Sequence, residues 1–189
     1  METQPTREHP GAPQLEIRTA DSHDVPALEK LVNAAYRGES GRRGWTTESD
    51  LLAGQRVDEE LIHALIAEDE SVILVAMTPD AQIRGCVHLK RNSTTTSYLG
   101  MLTTDVDSQA AGIGTQLLRA AEAHARAIFR SSEMEMTVID VRSELISWYQ
   151  RRGYHLTGEK RPFPSENPRF GVPLRKALCF SVLKRSLKH

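Results

Sequence analysis

At 189 residues, with 39% hydrophobic and 26% charged residues, the chain suits a single domain with a full core. Its formal net charge of -1 supplies no basic field, so no nucleic-acid partner is expected. No apolar run reaches membrane-spanning length and the polar N-terminus lacks a signal-peptide core, so the expectation is a cytoplasmic protein without a membrane partner.

Met1 to Pro13 is polar and proline-bearing and reads as a disordered tail, leaving residues 14–187 as one domain. Leu15 to Ala20 alternates apolar and polar residues, the pattern of a half-buried first strand. Asp21 or Asp24 can cap the helix that follows, with Pro26 in its first turn and Val25, Leu28, Leu31, Val32 and Ala35 on its buried face. Tyr36 to Arg56 is irregular, broken by Gly38, Gly41 and Gly44, with Arg42 and Arg43 read as part of a solvated loop beside Trp45. Thr47 with Asp50 predicts a capped short helix through Leu51 and Leu52. A further helix is expected over Asp58 to Ala67.

Ser71 to Met77 is a β-branched run suited to a central strand, and Ile83 to Lys90 returns after the Pro79-Asp80 turn. Cys86 and His88 lie on that returning strand. Two potential ligands without others at a recognisable spacing do not make a metal site, so both read as strand core and no metal is expected. Cys86 and Cys179, the two cysteines, are far apart and read as small hydrophobes in a reducing compartment. Beyond Asn92 comes another strand, then a long helix, a strand over Met134 to Val141 and a helix over Leu145 to Arg152 ended by Gly153. A strand resumes near Tyr154 to Gly158. Arg161 to Pro173 reads as an ordered loop or lid, and Ala177 to Lys184 as the last strand. The order gives an α/β fold, a mixed sheet flanked by helices.

The strand from Tyr98 runs into a glycine-bearing turn, after which Ile113, Leu117, Ala121, Ala125 and Ile128 recur at helical spacing. The first amides of such a helix point outward with the positive end of its dipole, and Gly112 and Gly114 allow close approach of a ligand. That suits phosphate, though the same glycines could simply shape the turn. No lysine follows them, and Leu117 stands where the dinucleotide fingerprint needs a third glycine.

Gln109-Ala110-Ala111-Gly112-Ile113-Gly114 resembles the Q/R-x-x-G-x-G/A pyrophosphate loop of the GNAT superfamily of acetyl-CoA-dependent N-acetyltransferases. Trp148-Tyr149-Gln150-Arg151-Arg152-Gly153-Tyr154 is similar to the aromatic segment that ends the fourth GNAT helix. The resemblance implies a GNAT fold, a mostly antiparallel sheet of about six to seven strands flanked by about four to five helices. It implies acetyl-CoA as co-substrate, held by Leu102, Thr103, Thr104, Gln109, Ala110, Ala111, Gly112, Ile113, Gly114, Thr115 and Tyr149. The acceptor it implies is a small-molecule amine, with a homodimer left open. Competing implications are a non-catalytic acyl-CoA-binding module and a protein or peptide N-acetyltransferase. The sequence departs from the family at Val106, Ala110, Ala111 and Arg142, the last standing where many relatives carry a cofactor-contacting asparagine.

Acetyl transfer needs a free amine, although an alkyl amine of pKa ~10.4 is mostly protonated at neutral pH. It also needs donors for the oxyanion and an acid for the leaving thiolate. The resemblance assigns the acid to Tyr149, which could otherwise be a core residue packing with Leu145 and Ile146. Glu48 is the candidate base, with Asp105 the alternative. Either could instead be structural, Glu48 as a first-turn carboxylate and Asp105 as a turn residue. Trp45, Glu48, Phe163 and Phe170 are expected to wall the acceptor pocket. The aromatic members could equally form a small packed cluster.

Overall fold

The computed structural model describes residues 15–37, 47–107, 112–164, 167, 169, 171–175 and 177–188. Glu16–Thr19 forms β1 and passes through a single 3-10 turn, Ser22–Asp24, into α1, Val25–Arg37. The Asp21 carboxylate accepts from the His23 amide at 2.8 Å, and Asp24 accepts from the Asp21 amide at 2.9 Å. The expected helix through Leu51 and Leu52 does not form. Both amides bond the Glu48 carbonyl in one turn, after which Leu52–Ala53 extends as β2 against β8, Val172–Pro173. Pairing with a segment distant in sequence overrides the local capping signal. α2, Glu59–Ala67, starts on Asp58, whose carboxylate accepts from the Leu61 amide at 2.7 Å.

The remaining elements are β3 (Ser71–Met77), β4 (Ile83–Arg91), β5 (Thr96–Thr104), α3 (Ile113–Ala127), β6 (Glu133–Ile139), α4 (Ser143–Gln150), β7 (His155–Pro162) and β9 (Cys179–Ser186). Seven strands join in the order β1-β3-β4-β5-β6-β9-β7. Every neighbouring pair is antiparallel except β5 with β6. With four α-helices among the described residues, this is the mixed, mostly antiparallel architecture expected. β7 runs further than expected, to Pro162, so the proline-bearing segment begins as strand.

Strand alternation divides the core between two faces. Val72 and Leu74 face α3, where they meet Leu117, Leu118 and Ala121; Ile73 and Val75 face α1 and α2, where they meet Val25, Leu28, Val32 and Ile62. Fully burying a leucine such as Leu117 contributes about 1.5–3 kcal/mol, so α3 is fixed firmly at the position that opens the groove described below.

His88 belongs to this core and is 8% exposed. The Ser71 hydroxyl donates to the Leu65 carbonyl at 2.7 Å, so it accepts from His88 Nε2 at 2.9 Å and the ring is neutral with its proton on Nε2. Burial holds the imidazole pKa down to about 4, against 6.5 for a free ring. Between those values the unfolded chain binds a proton that the folded chain refuses. This contribution to stability is therefore complete above pH 6.5 and is lost as the pH falls towards 4, by about 3 kcal/mol. Urea midpoints measured across that range should fall with pH, and His88→Gln, which keeps a donor for Ser71, should flatten the slope. An unchanged slope would place the acid sensitivity elsewhere.

Candidate active site

The sheet parts at its centre. β5 pairs with β6 only at Thr96, Ser97 and Tyr98, opposite Glu133, Met134 and Glu135, while β6 continues along β9 to Ile139. On the other edge of β5 the register passes from Cys86↔Thr103 to His88↔Gly100, so Val87 alone lies opposite both Met101 and Leu102. That is a β-bulge, and Met101 takes the left-handed conformation within it, φ 51°. The bulge twists the end of β5 away from β6 and opens a cleft between them.

One side of the cleft is a cavity of about 250 Å³, walled in part by Tyr98, Leu102, Val138, Tyr149, Phe163 and Phe180. Glu48 reaches it from the segment after α1 and is 8% exposed. Arg37 Nη1 donates to its Oε2 at 2.7 Å, and Arg142 Nη1 donates to its Oε1 at 3.1 Å. Both arginine side chains are themselves buried, at 7% and 8% exposure. Arg56 adds a third guanidinium to the wall, 5.6 Å over the Tyr36 ring. The Tyr36 hydroxyl donates to the Leu102 carbonyl at 3.1 Å, tying α1 to the bulge.

Tyr149, on the last turn of α4, contacts Trp148 and Tyr154 edge-on, with ring centroids 5.0 and 5.7 Å away. Burial, with the neighbouring Tyr36 adding to it, pushes its phenol pKa up, so the hydroxyl keeps its proton. Phe163 lines the cavity and also packs on Phe180 at 5.5 Å, in a small cluster with Leu51, Leu52, Ile139 and Leu178. Asp105 is turned elsewhere, its Oδ2 accepting from Arg84 Nη1 at 2.6 Å. Trp45 and Phe170, also expected at the acceptor wall, lie outside the described residues.

The other side is a groove of about 550 Å³ between the start of α3 and α4, lined by Thr104, Gly112, Gly114, Thr115, Trp148 and Arg152 among others. Gly112 caps α3 at φ 74°, and the Thr115 and Gln116 amides both donate to its carbonyl at 3.1 Å. A Cβ at Gly112 would meet nothing within 4 Å, so the backbone borders open space. Arg152 stacks on Trp148 with its guanidinium carbon 3.6 Å from the ring centroid and gives two hydrogen bonds to Thr115 Oγ1, at 3.0 and 3.3 Å. Its pKa is pushed down, first by burial and then by the charges of Arg151 and Arg119, so cations crowd this end. Thr104 Oγ1 is buried on the same wall without a hydrogen-bond partner. Ile113 is buried and packs in the core, and Thr103 is buried with its hydroxyl donating to the Met101 carbonyl at 3.0 Å. Gln109, Ala110 and Ala111 lie outside the described residues.

A family model described as an acetyltransferase (GNAT) domain matches residues 46–164, more than half of the chain. The chain belongs to the GNAT acetyltransferase family. The fold of this GNAT chain has close counterparts among solved structures. A putative acetyltransferase from Salmonella typhimurium, YncA, solved with its cofactor acetyl-CoA, is 18% identical with a TM-score of 0.66, over 93% of this chain and 95% of that one. An N-acetyltransferase from Staphylococcus aureus Mu50 is 13% identical with a TM-score of 0.69, over 92% and 98%. A variant of a spermidine N-acetyltransferase from Vibrio cholerae is 12% identical with a TM-score of 0.67, over 92% and 94%. No curated protein matches the chain.

Among the described residues of this GNAT chain, no group of three or more His, Cys, Asp or Glu is arranged to hold a metal ion, and no helix is long and apolar enough to cross a membrane. Two site residues escape a reading of the sequence alone. Arg37 is the plain end of an amphipathic helix, and Arg142 is visible only as a departure from the family. Glu48 joins them across 11 and 94 positions of chain, a separation no motif spans.

Proposed function

We propose that the chain is an acetyl-CoA-dependent N-acetyltransferase of small amines, working by direct attack while both substrates are bound. The observation that carries this is the shared wall. β5 and α4 present Thr104 and Trp148 to the groove, and Leu102 and Tyr149 to the enclosed cavity.

The groove fits acetyl-CoA. Its open backbone at Gly112, the start of α3, and the crowded Arg119, Arg151 and Arg152 suit phosphates. Ile113, Gly114 and Thr115 would join Gly112 in holding the pyrophosphate, with Gln109, Ala110 and Ala111 as the loop leading in. Bound there, acetyl-CoA supplies the acetyl thioester.

The chain's residues then divide the work. Three guanidiniums around the cavity disfavour a protonated amine, which raises the share of free amine available to attack. Glu48 holds Arg37 and Arg142 with one lone pair on each oxygen and keeps others with which to take the amine's proton through a water. The β5 backbone from Leu102 to Thr104, on the edge that β6 has left, offers amides to the developing oxyanion. As the nitrogen–carbon bond forms and the carbon–sulfur bond breaks, Tyr149 gives its proton to the sulfur and is reset by the proton released from the amine.

The second opening limits the acceptor. A cavity of about 250 Å³ with Phe163 on its wall suits a small molecule. The reading is tested by turnover: free thiol should appear when acetyl-CoA and a small amine are present together, and with neither alone.

A further inference from the structure

The mechanism leaves one polar feature of the cavity unused. Among the lining residues are Tyr98 on β5 and Thr137 on β6, whose hydroxyls share a hydrogen bond of 2.8 Å. The bond sits where the two strands separate. Their last paired residues are Tyr98 and Glu135, and the same register carried on would place Gly100 opposite Thr137. The Tyr98 ring lies over Gly100 instead, since a Cβ there would come within 3.0 Å of its Cε1. Glycine thus leaves the ring room to run along the strand and reach Thr137. Both residues are half-buried rather than sealed in the core. The Tyr98 phenol also adds to the rise of the Tyr149 pKa, after burial and the neighbouring Tyr36, so it stands within electrostatic reach of the proposed acid.

Two hydroxyls hold two protons, and their mutual bond uses one of them. Neither hydroxyl makes another hydrogen bond to a described residue, so a proton and further lone pairs remain for a ligand. A carboxylate would use only the proton, and an ammonium only the lone pairs. A neutral group that both donates and accepts uses both.

We propose that Tyr98 and Thr137 are specificity-determining residues and that the acceptor is a small amino alcohol, its hydroxyl held by this pair while its amine faces the thioester. The proposal rests on the transferase reading and narrows its substrate class. A hydroxyl buried without a partner binds worse than the methyl it replaces, whereas a site built to hydrogen-bond a hydroxyl rejects the analogue lacking it. The preference, and its loss when the pair is broken, together identify the pair.

The test compares amino alcohols with amines in which a terminal methyl replaces the hydroxyl: ethanolamine with propylamine, propanolamine with butylamine and butanolamine with pentylamine. Thiol release from acetyl-CoA and calorimetric binding are measured on the full chain. Concentrations are expressed as free amine, because the hydroxyl lowers the amine's own pKa. The best amino alcohol should exceed its matched amine in kcat/KM by about tenfold or more. Tyr98→Phe and Thr137→Val each remove one hydroxyl and keep the shape of the side chain. In each, the ratio of amino alcohol to matched amine should fall by about tenfold or more, through KM rather than kcat. A bond that only joined the strands would instead lower the denaturation midpoint and leave that ratio as it was. This result would overturn the proposal and leave the transferase intact, as would a wild-type preference below tenfold in every pair. If neither variant folds, the wild-type panel decides. Amino alcohols that bind through the pair without being acetylated would support its role and contradict the transferase reading. Failure of every amine to bind or react would overturn both.

Discussion

Replacing Tyr149 by phenylalanine should lower kcat by about a hundredfold or more while the fold and the affinity for CoA hardly change. The ring contacts with Trp148 and Tyr154 survive the change, and no described residue hydrogen-bonds the hydroxyl, so its removal leaves no partner unsatisfied. Burial keeps the phenol protonated, the form in which it can donate to sulfur. The effect should therefore fall on the chemical step. A tyrosine that served only the core would give the reverse pattern: a lower denaturation midpoint and an intact rate per folded molecule. Single-turnover measurement separates the two, and wild-type kcat in the variant under chemistry-limited conditions would transfer the acid's role to another group or to water.

The groove carries the second large effect. Gly112→Val should weaken CoA binding at least tenfold and also cost stability, because a β-branched residue at φ 74° resists the left-handed conformation by about 1–2 kcal/mol. Crowding within the chain is not the obstacle, since a Cβ there would meet nothing within 4 Å. Gly112→Asn separates the causes. Asparagine visits the left-handed region more easily, so this variant should keep most of its stability, yet its side chain still enters the space from which a pyrophosphate would approach. Calorimetric titration should find CoA affinity reduced in both variants. Equal affinity in Gly112→Asn and wild type would mean that the ligand does not come close to the backbone at this point.

The two halves of the site differ in how far they could be read before folding. The groove is local: the strand, the glycines and the first turn of α3 are consecutive, and their periodicity marks the boundary at Ile113. Tyr149 was legible because its helix ends in a recognisable aromatic and glycine pattern, with Gly153 at φ 85° as expected of a terminating residue. The acceptor side is assembled from the end of α1, the turn before β2, the start of α4 and the segment after β7. Ion pairs between such distant positions leave no trace in spacing, so Glu48 could be read as a base or as a first-turn carboxylate but not as the partner of two arginines, and Arg37 as nothing in particular. The same physics explains the lost helix at Leu51 and Leu52, where Pro173 and Val172 supply strand partners that local sequence does not show. The bulge at Met101 was also silent, because a left-handed methionine goes with the register shift of β5 against β4 rather than with its own preference.

Transfer of an acetyl group from the groove to an amine in the cavity is tested most directly by quantifying both products in one reaction. The full chain is incubated with acetyl-CoA and a panel of small primary amines, with and without a carboxylate. Free thiol is followed by its colour reaction and the N-acetylated amine by mass spectrometry. The expected result is thiol and N-acetyl product in equal amounts, at a rate that depends on both substrates. Tight binding of acetyl-CoA with no N-acetyl product from any amine would contradict it and leave a CoA-binding module in place of an enzyme.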